Sequence, residues 1–205
     1  MQDGLWDREV DLLVAGAGPA GMTAALVAAL EGLDVLICEK SEQVGGTGAT
    51  SAGTLWIPGN GPGCEAGYDD SARDAGAYLD ALIGDGGADP RREIFLSDGP
   101  RVIDDLIART ELRLVACGPH PDYRSNLPGA AFSGRAIIPE PFDGRKLGRD
   151  FCRVRSPIDE FMLLGGMMAG KADIQRLVER YQSLGNFAHS VGLVLRYLAD
   201  RLRFA

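Results

Sequence analysis

Two kinds of apolar pattern alternate along the chain: short unbroken runs, and stretches where apolar residues return every three or four positions. Val10–Ala15 is an apolar run closed by glycine, and it predicts a buried parallel strand. Ala20–Glu31 is rich in Ala and Leu and predicts a helix stopped by Gly32. Asp34–Glu39, DVLICE, predicts a second buried strand. Strand, turn, helix and strand within about thirty residues make the first half of a doubly wound nucleotide fold.

Lys40 to Gly63 reads as loop, punctuated by Gly45-Gly46, Gly48, Gly53, Pro58, Gly59, Gly61 and Pro62. Over Asp69–Ile83 a helical period places Ala72, Ala75, Leu79, Leu82 and Ile83 on one face. Asp89 followed by Pro90 is a helix start, a cap and then a first-turn proline. Val102, Ile103, Leu106 and Ile107 continue a helical face, and Leu112–Ala116 reads as a strand. Cys117 to Gly148 is poor in regular signals and rich in Pro and Gly; such a stretch lines a site or wraps another part of the protein. Two helices close the chain. The first aligns Ile174, Leu177, Val178 and Tyr181; the second aligns Phe187, Val191, Val194, Leu195, Leu198 and Leu202 and runs to Ala205. No internal repeat is visible.

Composition narrows the picture. The 205 residues suit one domain or a little more, and the 45% hydrophobic content is globular. Glycine, at 28 residues, is about twice its usual share, and its clustering points to tight turns and close approach to a ligand. The net charge of -8 comes without a basic stripe, which argues against a nucleic-acid partner. Cys38, Cys64, Cys117 and Cys152 have neither metal-ligand nor redox spacing, and the two histidines, His120 and His189, lie far apart, so no metal is expected. Scattered thiols fit a reducing, cytoplasmic setting. From Leu12 to Leu30 the chain carries no charge, but Gly16, Gly18, Pro19 and Gly21 interrupt it and the preceding flank is acidic. That segment reads as strand, turn and helix, not as a membrane span or a signal peptide.

The turn itself, VAGAGPAG from Val14 to Gly21, has the spacing G-x-G-x-x-G. Gly16 permits the tight turn, Gly18 lets the backbone approach a pyrophosphate, and Gly21 lets helix and strand pack closely. Ala17, Pro19 and Ala20 complete the turn and open the helix, whose free N–H groups suit phosphate. Glu39 closes the second strand, 23 residues after Gly16, where a carboxylate accepts hydrogen bonds from an adenosine ribose and repels a 2′-phosphate. NADP is disfavoured, and FAD and NAD both remain.

The stretch EKSEQVGGTGATSAGTLWIPGN extends the reading. It resembles the N-terminal part of the FAD-dependent fumarate reductase and 3-ketosteroid dehydrogenase flavoproteins. The resemblance implies an α/β, Rossmann-like FAD-binding domain with a βαβ core over residues 9–60 and a helical, irregular C-terminal portion. It implies FAD held by Glu39, Lys40, Gly45, Gly46, Thr47, Ser51 and Gly53 in addition to residues 16–21. Gly48 stands where a threonine is common in that family, and Thr50 where an arginine is common. GTLWIPGN (Gly53–Asn60), HPDYRSNLPG (His120–Gly129) and GRAIIPEPFDGRKLG (Gly134–Gly148) resemble segments of the ketosteroid branch. By that resemblance Tyr123 is the catalytic candidate, a tyrosine near the steroid that supports a second tyrosine acting as base. Its other reading is a ring that packs and a hydroxyl that bonds nearby.

The resemblance also implies a longer parent. Residues 1–205 are expected to be the N-terminal part of an FAD-binding domain, lacking the substrate domain and the C-terminal flavin-binding segment, and to be inactive alone. The parent is expected to be an oxidoreductase that removes hydrogens from adjacent carbons beside a ketone, with a small-molecule substrate of the ketosteroid kind and an unspecified electron acceptor. A fumarate-reductase-like flavoprotein and a non-catalytic dinucleotide-binding module are the alternatives.

Overall fold

The computed structural model describes residues 7–84, 89–164 and 166–204. In chain order the elements are β1 (Leu12–Ala15), α1 (Pro19–Leu30), β2 (Val35–Cys38), β3 (Leu55–Trp56), α2 (Gly61–Glu65), α3 (Ala72–Ile83), α4 (Pro90–Arg109), β4 (Leu114–Ala116), β5 (Ala136–Pro139), β6 (Met162–Leu163), β7 (Met167–Met168), α5 (Lys171–Val178) and α6 (Leu184–Phe204). Turns of 3₁₀ helix cover Gly144–Arg153 and Asp159–Phe161. The chain divides into two compact units, Met1–Ser51 with Gly144–Ala205, and Ala52–Asp143.

In the first unit β1 and β2 pair in parallel, Leu12 opposite Val35 through Ala15 opposite Cys38, and α1 is the crossover between them. This is the strand–turn–helix–strand unit expected from the sequence, with each boundary within two residues. The small residues of α1 let it lie close to β1, and Ala25 and Ala28 are buried. The helix ends as Gly32 suggests: its φ is +85°, and Leu33 N donates back to the Ala28 carbonyl, the 6→1 bond of a Schellman turn.

The second unit is built on the antiparallel sheet β3-β5-β4. Ile103 of α4, Leu114 of β4 and Ile137 of β5 form its core, with Ile57, Ile107 and Leu112 packed around them. Helix α4 starts where Asp89-Pro90 places it, the Asp89 carboxylate accepting from Arg91 N at 2.9 Å. Helix α2 is capped in the same manner by Asn60 Oδ1, which accepts from Gly63 N at 2.7 Å.

The structure adds to the sequence pattern at four places. The stretch 117–148, read as irregular, contains β5, the central strand of its sheet, and Ile137 there is fully buried. On α3 the buried residues are Ala75 and Tyr78, while Leu82 and Ile83 are exposed. A turn at Gly129 packs against the α3 backbone at Asp74 and Tyr78, beside the buried positions. On α6 the expected stripe at Phe187, Val191, Leu195, Leu198 and Leu202 is exposed, and Ser190 and Leu193 are the buried positions. A polar pair joins the two helices there: His189 Nε2 lies 2.8 Å from Asp173 Oδ1 of α5. Finally, of the adjacent methionines of β7, Met167 is buried and Met168 exposed. Gly165 and the helix end at Ala205 lie outside the described residues.

Candidate functional site

The turn after β1 is organised around Ala17, which is buried. Its N–H donates to Glu39 Oε2 at 2.8 Å, and its carbonyl accepts from Gly45 N at 2.8 Å. One residue thus ties the end of β2 and the loop after it to the turn. Gly16 has φ +98° and donates to the Cys38 carbonyl at 2.7 Å. Gly18 is the N-cap of α1 and Pro19 its first residue, followed by Ala20.

The three motif glycines have different physical roles. A Cβ on Gly21 would overlap the Gly16 carbonyl oxygen and come within 3.2 Å of Val14 Cγ1, so Gly21 is required by helix–strand contact. Gly16 is required by its positive φ. Gly18 has φ -78°, which any residue adopts, and a Cβ there would meet nothing within 4 Å. The space in front of the α1 N-terminus is therefore open, and backbone N–H groups face it without side-chain cover.

The second glycine loop packs against this turn. Gly45 and Gly46 have φ +109° and +52°, and a Cβ on Gly46 would lie 3.1 Å from Gly18 Cα. A Cβ on Gly48 would collide with the Pro19 ring. The glycine at 48, where the resembling family often has threonine, thus matches the proline at 19. The Ser51 hydroxyl donates to the Gly48 carbonyl and the Thr50 hydroxyl to the Thr47 carbonyl, both at 3.0 Å. Among the described residues the Thr47 hydroxyl has no partner, and Lys40 is exposed. Gly53 belongs to the other unit, where its Cβ would sit 3.0 Å from Pro139 Cγ.

The sequence leaves Arg155 open as an anion site or as a solvated or salt-bridged arginine. A parallel bridge between Val44 and Val154 lays residues 153–155 beside the loop. Arg155 N donates to the Val44 carbonyl at 2.9 Å, and its Nη1 reaches the Gly46 carbonyl at 3.4 Å. A positive charge thus stands next to the cradle. No local motif signals it, because the partners are 109 positions apart.

Glu39 also accepts from Ser41 N at 3.0 Å. The Ala17 N–H first, then that of Ser41, hold its carboxyl below the ordinary value of 4.5. Since the folded pKa is the lower one, this stabilisation is complete above 4.5 and is lost as pH falls through the folded value. Thermal midpoints of the native chain and Glu39→Gln, measured against pH, are expected to differ by a constant amount near neutrality and to converge in acid. A difference that grew on acidification would contradict this assignment.

In the second unit Tyr123 sits on the loop between β4 and β5, and its ring is 96% exposed. The residues on either side of it are held. Asp122 N donates to the Ala131 carbonyl at 2.9 Å, and Arg124 N donates to Tyr78 Oη at 3.3 Å. The sequence reading missed Asp70, Asp122 and Arg135, a buried charge cluster beneath this loop.

A parallel βαβ unit, a glycine turn opening onto a helix N-terminus and an ionised carboxylate at the end of β2 define a dinucleotide-binding arrangement of the Rossmann type. The model of the FAD binding domain family matches residues 11–203. The chain belongs to that family, and its cofactor is FAD. It is similar to 4-oxocyclohex-2-ene-1-carboxylate 5-dehydrogenase of Sinomonas cyclohexanicum, with 36% identity over 95% of this chain and 32% of the relative. It is also similar to 3-oxosteroid 1-dehydrogenase of Mycolicibacterium smegmatis, with 37% identity over 73% of this chain and 26% of the relative. Among solved structures, 3-ketosteroid delta1-dehydrogenase from Sterolibacterium denitrificans, in complex with 1,4-androstadiene-3,17-dione, superposes with a TM-score of 0.79. The match has 33% identity and covers 93% of this chain and 33% of that one. The chain spans about a third or less of the length of these relatives. No helix among the described residues is long and apolar enough to cross a membrane.

Proposed function

We propose that the protein is an FAD-dependent dehydrogenase that desaturates a carbon–carbon bond next to a ring ketone, with a 3-ketosteroid as substrate. When bound, FAD supplies the hydride acceptor for a reaction that also removes a proton from the carbon beside the ketone. This chain's part is binding and placement. The α1 N-terminal N–H groups and the open Gly18 face take the pyrophosphate, with Arg155 supplying charge beside it. Glu39, ionised, accepts from the ribose hydroxyls with lone pairs that Ala17 and Ser41 leave unused. Gly45, Gly46, Thr47 and Ser51 line the same side of the turn.

The observation that carries the reading is Tyr123, nearly fully exposed on a loop whose neighbouring residues are pinned. A phenol held in this manner serves a bound ketone better than a freely moving one. Its hydroxyl can exchange a proton or a hydrogen bond at Oη with the partner that takes the substrate proton. Tyr123→Phe in the full-length natural protein is expected to lower kcat by about a hundredfold, the low end for a positioned proton-transfer group, with flavin content unchanged. Dye-linked turnover of a 3-ketosteroid measures it; undiminished turnover would return Tyr123 to surface packing.

A second substrate reading has its own support. Two relatives are named for small ring ketones, 4-oxocyclohex-2-ene-1-carboxylate and 4-oxocyclohexanecarboxylate, while a 3-oxosteroid 1-dehydrogenase is matched over as much of this chain as the first. Both readings share the chemistry beside a ring ketone, so one assay with a 3-ketosteroid and with 4-oxocyclohexane carboxylate separates them. A cytoplasmic location is part of this proposal, supported by Cys38, Cys64, Cys117 and Cys152, which are free thiols.

A further inference from the structure

Beneath the Tyr123 loop a guanidinium is enclosed almost completely. The Arg135 side chain is 2% exposed, and its partners Asp122 and Asp70 are 3% and 6% exposed. Arg135 Nη1 donates to Asp122 Oδ2 at 2.7 Å, Nε to Asp70 Oδ1 at 3.0 Å, and Nη2 to the Gly129 carbonyl at 2.8 Å. Aromatic rings flank it, with its Cζ 5.7 Å from the Trp56 ring centroid and 5.8 Å from that of Tyr78. Both Asp122 oxygens are engaged: Trp56 Nε1 donates to Oδ1 at 2.7 Å and Ala131 N to Oδ2 at 2.9 Å. Asp70 Oδ2 accepts from Gly59 N at 3.1 Å.

Buried ion clusters are weak devices for stability, because desolvation offsets their attraction; well-packed apolar residues often do as well. What such a cluster does supply is a single geometry, since each donor has one place to go. Here Arg135 bonds the loop at both Asp122 and Gly129, and Asp70 ties the same guanidinium to Gly59 N. Arg135 fixes Asp122, the residue before Tyr123, Tyr78 Oη accepts from the residue after it, and Gly129, with φ +72°, packs the far end against α3. The one residue in between is left without a partner among those described, and it projects into the open.

We infer that Asp122, Arg135 and Asp70, with Trp56 and Tyr78, are positioning residues that fix the loop so that Tyr123 meets the substrate in one orientation. The inference rests on the proposed role of Tyr123. Trp56→Phe is the mildest probe, because it keeps a ring against Phe95, now stacked at 6.2 Å, and removes the N–H that Asp122 accepts. Asp122→Asn is the second probe, in case the first disturbs folding.

Two measurements on the full-length natural protein decide the matter. The first is tryptic cleavage after Arg124, an exposed bond inside the loop. Both variants are expected to be cut about tenfold faster than the parent, as local opening of the loop becomes easier. Unchanged cutting in both would overturn the inference. The second is a double-variant cycle on turnover. Trp56→Phe is expected to lower kcat about tenfold in the parent, through misplacement of the reacting group, and not at all in a Tyr123→Phe background. Equal losses in both backgrounds would show a general structural effect and overturn the positioning role. If Tyr123→Phe alone left turnover intact, the proposed role of Tyr123 would fall, and with it the purpose assigned here. The cleavage result would still report whether the cluster holds the loop, so the two failures are distinguishable.

Discussion

Gly18→Val is expected to abolish FAD binding while leaving the chain folded. The backbone at Gly18 is in a region open to every residue, and a Cβ there meets nothing within 4 Å. The folded chain therefore tolerates the side chain, and the cost falls on the ligand whose pyrophosphate needs that space. Losing two charge-assisted hydrogen bonds, each worth about 1.5–3 kcal/mol, weakens binding by at least about a hundredfold. Gly21→Ala is the control from the same motif. Its new Cβ would overlap the Gly16 carbonyl oxygen, so it is expected to lower the thermal midpoint before any ligand is added. Flavin titration and thermal melting of both variants check the contrast. Full flavin occupancy in folded Gly18→Val would move the site elsewhere.

Arg135→Ala is expected to destabilise the unit formed by Ala52–Asp143 by about 3–5 kcal/mol, the usual cost of stranding a buried charge. Two carboxylates, Asp70 and Asp122, would face each other with their shared cation gone, and the Gly129 carbonyl would lose its donor. Against a typical total of about 5–15 kcal/mol, that loss removes a large part of the stability. Urea unfolding followed by Trp56 fluorescence measures it. A change below about 1 kcal/mol would mean that water replaces the guanidinium at little cost.

How much of this could be read from the sequence follows from the range of the interactions. The βαβ unit was legible because its signals are local: an apolar run, a glycine turn, an Ala-rich helix, a second run. Glu39 was legible because its place is set by the length of that unit. The exclusion of a Cβ at Gly48 was not, since it depends on Pro19 coming alongside, 29 positions earlier. Strand β5 was missed because it is four residues long, enters from a charged Arg135 and ends on Pro139. Arg135 itself carries no local signal of burial. Its partners, Asp70 and Asp122, are 65 and 13 positions away, and no periodicity links them. On helix α6 the apolar period was real, but burial could not be read from it: the aligned Phe187, Val191, Leu195, Leu198 and Leu202 are exposed, and Ser190 and Leu193 are buried.

The most direct measurement is anaerobic addition of a 3-ketosteroid to the full-length, flavin-loaded protein while the visible band of oxidised flavin is followed. Bleaching of that band by the 3-ketosteroid, absent with the matching 3-hydroxysteroid, is the expected result, because only the ketone makes the neighbouring proton acidic enough to leave. Flavin that stays oxidised with the 3-ketosteroid and with 4-oxocyclohexane carboxylate alike would contradict the proposed chemistry, however well FAD is held.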